Sequence, residues 1–145
     1  MAIVVKDGIF TKNIRLPSGR GIAATINGIW YVNVYAPSGT ERKNEREQFF
    51  NRHLPTLLPT TPVEVVLAGD FNSIIDSRDM TPHSTTLRRL ISTLNLRDVW
   101  DIATAPRGFT HYTSHAASRI DRIYTTVQLF ERKQCVRAIV APFTS

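Results

Sequence analysis

Asp70 and Asn72 stand two residues apart in the stretch Gly69-Asp70-Phe71-Asn72-Ser73, which follows directly on the apolar run Val63-Glu64-Val65-Val66-Leu67-Ala68. A carboxylate in that place can take a proton or orient a water, and an amide on the same loop can donate to a developing anionic oxygen. The β-branched and aliphatic run reads as a strand covered on both faces, and the Gly-Asp-x-Asn-Ser composition reads as a turn. The pair therefore lies where a rigid strand becomes a polar loop. An isolated Asp-x-Asn is read first as an Asx-turn whose side chains satisfy neighbouring backbone groups, so the elements around it must decide.

Those elements begin with a β-meander. Ala2 to Val5, a run ending near Leu16 and Gly21 to Ile26 are separated by turn residues at Asp7-Gly8 and Pro17-Ser18-Gly19. Asn27-Gly28 then joins Ala23–Ile26 to Ile29–Tyr35 as a two-residue hairpin, because both residues tolerate positive φ. After Ala36-Pro37-Ser38-Gly39, Thr40 is placed as an N-cap and a helix is expected from about Glu41 to Leu54, stopped by Pro55 and Pro59. Strand, helix, strand is the pattern of a right-handed crossover, which makes the Tyr35 and Val63–Ala68 strands parallel neighbours. Tyr35 and Asp70 then share the carboxyl edge of one sheet, where ligand sites collect. Tyr35 has the parity of Asn33 and Tyr31, opposite Trp30, Val32 and Val34, so its hydroxyl can face a polar site or serve packing. Thr81-Pro82 reads as the start of a second helix, with Leu87, Leu90, Ile91 and Leu94 as its core stripe and Arg88 and Arg89 off it. Leu96–Trp100 reads as a short connection. Phe109–Thr113, Arg119–Tyr124 and Cys135–Ala141 read as strands.

Composition bounds the class. At 145 residues, with 42% hydrophobic and 21% charged residues, the chain fits one globular domain with a real core. The single Cys135 excludes an intrachain disulfide and a cysteine zinc site, which favours a reduced, intracellular protein. Ala2–Val5 is too short for a signal-peptide core or a membrane span, so no membrane association is expected. Eighteen Lys and Arg against twelve Asp and Glu give +6, a balance suited to a polyanionic partner. The charges are dispersed, through Arg20, Arg46, Arg88, Arg119, Arg122 and others, and many can be solvated faces.

Three spaced pieces, Asn33-Val34-Tyr35-Ala36-Pro37, Gly69–Ser73 and Ser118-Arg119-Ile120-Asp121-Arg122-Ile123-Tyr124, together resemble the endonuclease/exonuclease/phosphatase superfamily. The wording around Pro17–Gly21 and Phe109–Tyr112 is similar to the apurinic-type endonuclease domain of insect non-LTR retrotransposon proteins. The resemblance implies an α/β (α+β-like) chain forming part of a four-layered sandwich, with two mixed β-sheets flanked by helices. It implies phosphodiester cleavage with Mg2+ or Mn2+. Asp70 resembles the aspartate that activates water and is also a possible metal ligand. Asn72 resembles the asparagine that positions the phosphate, Tyr35 the tyrosine that contacts it, and Asp121 the aspartate that orients a catalytic histidine. Ser73 and Thr110 resemble neighbours of the site, Arg119 and Arg122 resemble phosphate or sheet-face contacts, and Arg119, Thr110 and Ser73 are the substrate-binding residues this implies. Taken alone, Asp121 reads as a carboxylate paired with Arg119 or Arg122.

The resemblance also implies departures. The family's first strands, which carry an asparagine and the glutamate that is the principal metal ligand, have no counterpart here. Residues 1–145 thus look like a partial domain that also lacks the closing Ser-Asp-His segment, and none of His53, His83, His111 or His115 matches the family histidine. Weak metal affinity, weakened cleavage and self-association through open sheet edges are the expected consequences. The leading reading is a retroelement DNA endonuclease domain acting in the nucleus. The alternatives are a non-catalytic nucleic-acid-binding remnant and a phosphatase of the same superfamily.

Overall fold

A computed structural model of the chain describes residues 1–4, 10–73, 84–102, 109–112 and 117–132. Its frame is a six-stranded mixed sheet. The strands are β1 (Phe10–Arg15), β2 (Gly21–Ile26), β3 (Ile29–Tyr35), β4 (Val65–Asp70), β5 (Leu96–Asp98) and β8 (Asp121–Thr126), in the spatial order β1-β2-β3-β4-β8-β5. Two short strands, β6 (His111–Tyr112) and β7 (Ala117–Ser118), form a separate antiparallel ribbon. The architecture is mixed α and β, as the family resemblance implies.

The hairpin forms as its dipeptide requires. Asn27 and Gly28 take φ of 51° and 79°, and β2 pairs with β3 from Ile26↔Ile29 to Gly21↔Val34. The crossover also forms, and β3 and β4 are parallel from Trp30↔Val65 to Tyr35↔Asp70. Its helical segment departs from the single helix expected over Glu41–Leu54. Helix α1 covers only Lys43–Gln48, without a side-chain cap from Thr40, and passes into a wide turn at Phe49–His53 and a tight 3-10 turn at Leu54–Leu57. Pro55, in the first turn of that last segment, supplies no N–H to an α-helical ladder. The irregular path still seats Phe49, Phe50, Leu54 and Leu57 on Trp30, Val32, Val34 and Leu67, and the Trp30 indole N–H donates to the Leu57 carbonyl at 2.8 Å.

Other boundaries differ for local reasons. Residues 1–4 form no strand, whereas one was expected from Ala2. Helix α2 (Thr85–Thr93) is capped by Ser84, whose Oγ accepts from Leu87 N–H at 3.0 Å, while Thr81-Pro82 lies outside the described residues. Leu87, Leu90, Ile91 and Leu94 pack on the core as their spacing requires. Leu96–Asp98, expected as a connection, pairs with β8 as an edge strand. Helix α3 (Val127–Glu131) was not expected, and the Cys135–Ala141 strand falls outside the described residues.

Candidate active site at the sheet edge

Register brings the singled-out residues together. Tyr35 is the partner of Asp70 across β3 and β4, and Asp70 is the partner of Asp121 across β4 and β8. Neighbouring strands lie about 4.8 Å apart. The phenol and two carboxylates therefore form one row across three adjacent strands. Side chains alternate along a strand, so this row shares the face of Tyr31, Asn33, Val66, Ala68 and Ile123, opposite the helix-covered core. Tyr35 is exposed at 45%, enough to present its hydroxyl to a ligand.

Gly69 makes the row possible. It takes φ 139°, and a Cβ there would meet the Val34 backbone, 2.8 Å from its amide nitrogen. Only glycine permits this approach of β4 to β3. Beyond it, the Asp70 carbonyl accepts from Ala36 N–H at 2.9 Å and the Ile120 carbonyl from Phe71 N–H at 2.9 Å. The loop is thus tied to both neighbours at once.

Asp70 and Asn72 do form an Asx-turn, and the turn serves the site. The Asp70 Oδ1 accepts from Asn72 N–H at 2.8 Å, Asn72 sits at φ 44°, and its Nδ2 donates to the Ala36 carbonyl at 2.9 Å. The Asn72 amide is thus held between the two loops. Arg46, buried, donates to the Pro37 and Gly39 carbonyls at 2.9 and 3.0 Å and fixes the other loop. Burial raises the Asp70 carboxyl above its ordinary value, the Asn72 backbone N–H opposes the rise, the charge of Asp121 adds to it, and His111 and the Asn72 side chain oppose it.

Asp121 does not pair with the arginines that flank it. Arg119 Nη2 and Arg122 Nη1 both donate to Asp98 Oδ2, at 3.1 and 2.9 Å, in a buried cluster. Arg119 also stacks on Trp100, with its Cζ 5.6 Å from the ring centre. These two arginines therefore brace the site from inside. Thr110 is a brace as well, since its Oγ1 accepts from Ile120 N–H and Asp121 N–H at 3.1 Å each. Ser73 is buried beside the loop. Asp98, Arg46 and the proximity of His111 to Asp70 were not read from the sequence, because nothing in local spacing links them to Asp70.

A cavity of about 420 Å3 opens beside the row, with Asp70, Asp121, Arg119, Arg122 and Trp100 in its wall. A larger one, about 540 Å3, lies at the other end of β4 around Pro59–Val65 and Leu94–Leu96, away from the row. Among the described residues no group of three or more His, Cys, Asp or Glu could hold a metal, and no helix is long and apolar enough to cross a membrane.

In open α/β sheets ligand sites collect at the carboxyl ends of strands, which is where this sheet gathers its acidic and amide groups. The particular family follows from comparison with known proteins. Residues 1–142 match the model of the Endonuclease/Exonuclease/phosphatase family, and the chain belongs to it. It is 33% identical over 126 residues to the transposon TX1 uncharacterized 149 kDa protein of Xenopus laevis, an alignment covering 78% of this chain and 9% of that protein. Its fold is similar to that of an AP endonuclease from Archaeoglobus fulgidus, with TM-score 0.62, 24% identity, and coverage of 80% of this chain and 56% of that one. It is also similar to the Neisseria 3′ phosphatase NExo bound to product DNA hairpin, with TM-score 0.60, 21% identity, and coverage of 86% and 61%. The chain thus spans less than two thirds of these solved structures and a small part of the transposon protein.

Proposed function

We propose that this chain is a DNA endonuclease domain of a non-LTR retroelement that hydrolyses a phosphodiester in one strand of a duplex. The observation that supports this most is the Tyr35, Asp70, Asp121 row, set in consecutive register across three strands. The +6 charge supports a polyanionic substrate. Asp70, its proton affinity raised by burial and by Asp121, takes the proton of an attacking water. That water forms a new bond to phosphorus, the bond from phosphorus to the 3′ oxygen breaks, and the departing oxygen takes a proton from solvent, leaving a 3′ hydroxyl and a 5′ phosphate while Asp70 later returns its proton to solvent. The Tyr35 hydroxyl donates to a non-bridging oxygen, and the second N–H of Asn72 donates to the charge that develops. Asp121 keeps Asp70 basic through its charge.

Family members generally use divalent metals. Asp70 and Asp121 are the only carboxylates of the row, and together they do not make a closed cage for a hard cation. Mg2+ or Mn2+ at Asp70 remains part of the proposal as a weak site, and no step is routed through it. Location in the nucleus would follow from a chromosomal DNA substrate. Pairing with a second copy would use β1 or β5, the edges of the described sheet.

Incubation with supercoiled plasmid in magnesium tests the reading. Nicked circles that disappear with chelator and with Asp70→Ala are expected. Salt-sensitive retardation without nicking would replace the endonuclease with a binding module, and release of phosphate from a 3′-phosphorylated strand without nicking would favour a phosphatase.

A further inference from the structure

Arg20 occupies the turn between β1 and β2, and the hydrolytic chemistry at Asp70 makes no use of it. The turn is well held, with Leu16 N–H donating to the Gly21 carbonyl and Gly19 N–H to the Leu16 carbonyl, both at 2.9 Å. The Arg20 carbonyl accepts from Tyr35 N–H at 2.9 Å, which ties this turn to the carboxyl end of β3. Its guanidinium then folds over the Tyr35 ring, with Cζ 5.5 Å from the ring centre and Nη1 3.5 Å from the Tyr35 carbonyl. Because β2 flanks β3 on the side away from β4, Arg20 extends the row of Tyr35, Asp70 and Asp121 by one position.

A guanidinium carries five N–H donors in a planar fork. In Arg20 the hydrogen bond to the Tyr35 carbonyl engages Nη1 alone, at the long limit of such a bond, and no carboxylate among the described residues pairs with it. Arg46 and Arg122, in contrast, are buried against carbonyl groups or Asp98. Stacking on the phenol orients the plane while leaving its edges free to donate. A partly exposed, oriented fork of this kind is matched by the oxygens of a phosphate diester.

We infer that Arg20 binds the phosphate adjacent to the one addressed by Tyr35 and Asp70, so that the substrate strand crosses the sheet edge from Asp121 towards β2. The inference rests on the DNA reading and adds the path of the strand. Binding of a labelled duplex by the Asp70→Ala chain, followed by fluorescence anisotropy between about 50 and 200 mM salt, tests it without hydrolysis. Each phosphate contact contributes about 0.9 to the slope of log affinity against log salt. Arg20→Ala, shown to be folded by circular dichroism, is expected to lower that slope by about one, and Arg20→Lys to keep it, since the charge remains. If Arg20 only propped the Tyr35 ring, affinity would fall at every salt concentration with the slope unchanged, and that result overturns the inference alone. Absence of any salt-dependent binding by the Asp70→Ala chain would remove the DNA reading together with it.

Discussion

Replacing Gly69 by alanine tests how the site is built, because a single methyl group meets two separate obstacles. The backbone at Gly69 has φ 139°, a region that costs a non-glycine residue about 1–3 kcal/mol. The new Cβ would also fall inside the contact shell of the Val34 carbonyl and 2.8 Å from the Val34 nitrogen. These are backbone atoms of a paired strand, so they yield only if β3 and β4 separate, and such overpacking costs about 1–3 kcal/mol. Together the two costs place the loss at about 2–6 kcal/mol, a large share of the 5–15 kcal/mol typical of a domain. Gly19 is the control, with φ 69° but nothing within 4 Å of the position a methyl group would take, so Gly19→Ala carries the backbone cost of about 1–2 kcal/mol alone. Urea unfolding followed by circular dichroism gives both values. At about 2–4 °C per kcal/mol, Gly69→Ala should also melt roughly 10 °C below wild type. A Gly69→Ala protein no less stable than Gly19→Ala would refute the close approach of β4 to β3, and with it the placing of Asp70 beside Tyr35.

Three further outcomes are expected. Asp98→Ala leaves two buried guanidinium groups without their carboxylate and should cost about 3–5 kcal/mol in urea unfolding, whereas a loss under about 1 kcal/mol would contradict the bracing of Asp121 by that cluster. Ser84→Ala removes the acceptor for Leu87 N–H and should cost about 1 kcal/mol, read from the same unfolding curves. Asp70 holds its proton more tightly folded than unfolded, so the stability it contributes is full below its ordinary value of 3.8 and is lost as pH rises through the higher folded value. Asp70→Asn should therefore be more stable than wild type at pH 7, with the gap closing towards pH 4. A gap of equal size at both pH values would show that burial and Asp121 do not perturb this carboxyl.

Much of the site's position was legible because it depends on short-range signals. Asn27-Gly28 set the hairpin, the strand, helix, strand order made β3 and β4 parallel, and alternation put Tyr35 on the face away from the core. What stayed hidden depends on long-range contact. Asp98 sits in what reads as a connection, and its role appears only when β5 pairs with β8 and brings Arg119 and Arg122 onto one carboxylate oxygen. The arginines that looked like surface charge include Arg46, buried on the carbonyls of the loop after β3. The helix over Glu41–Leu54 broke into three unlike turns because packing Phe49, Phe50 and Leu54 on the sheet outweighs the regular α-helical ladder ahead of Pro55.

The most direct test of a single centre at the sheet edge is a double-mutant cycle on plasmid nicking, with Asp70→Ala, Asp121→Ala and the combined variant. If the two carboxylates work as a unit on one phosphate, each single change abolishes most of the rate and the pair is no worse than the more damaging single. Losses that multiply would mean that Asp70 and Asp121 act independently, against the claim that their shared register makes one centre.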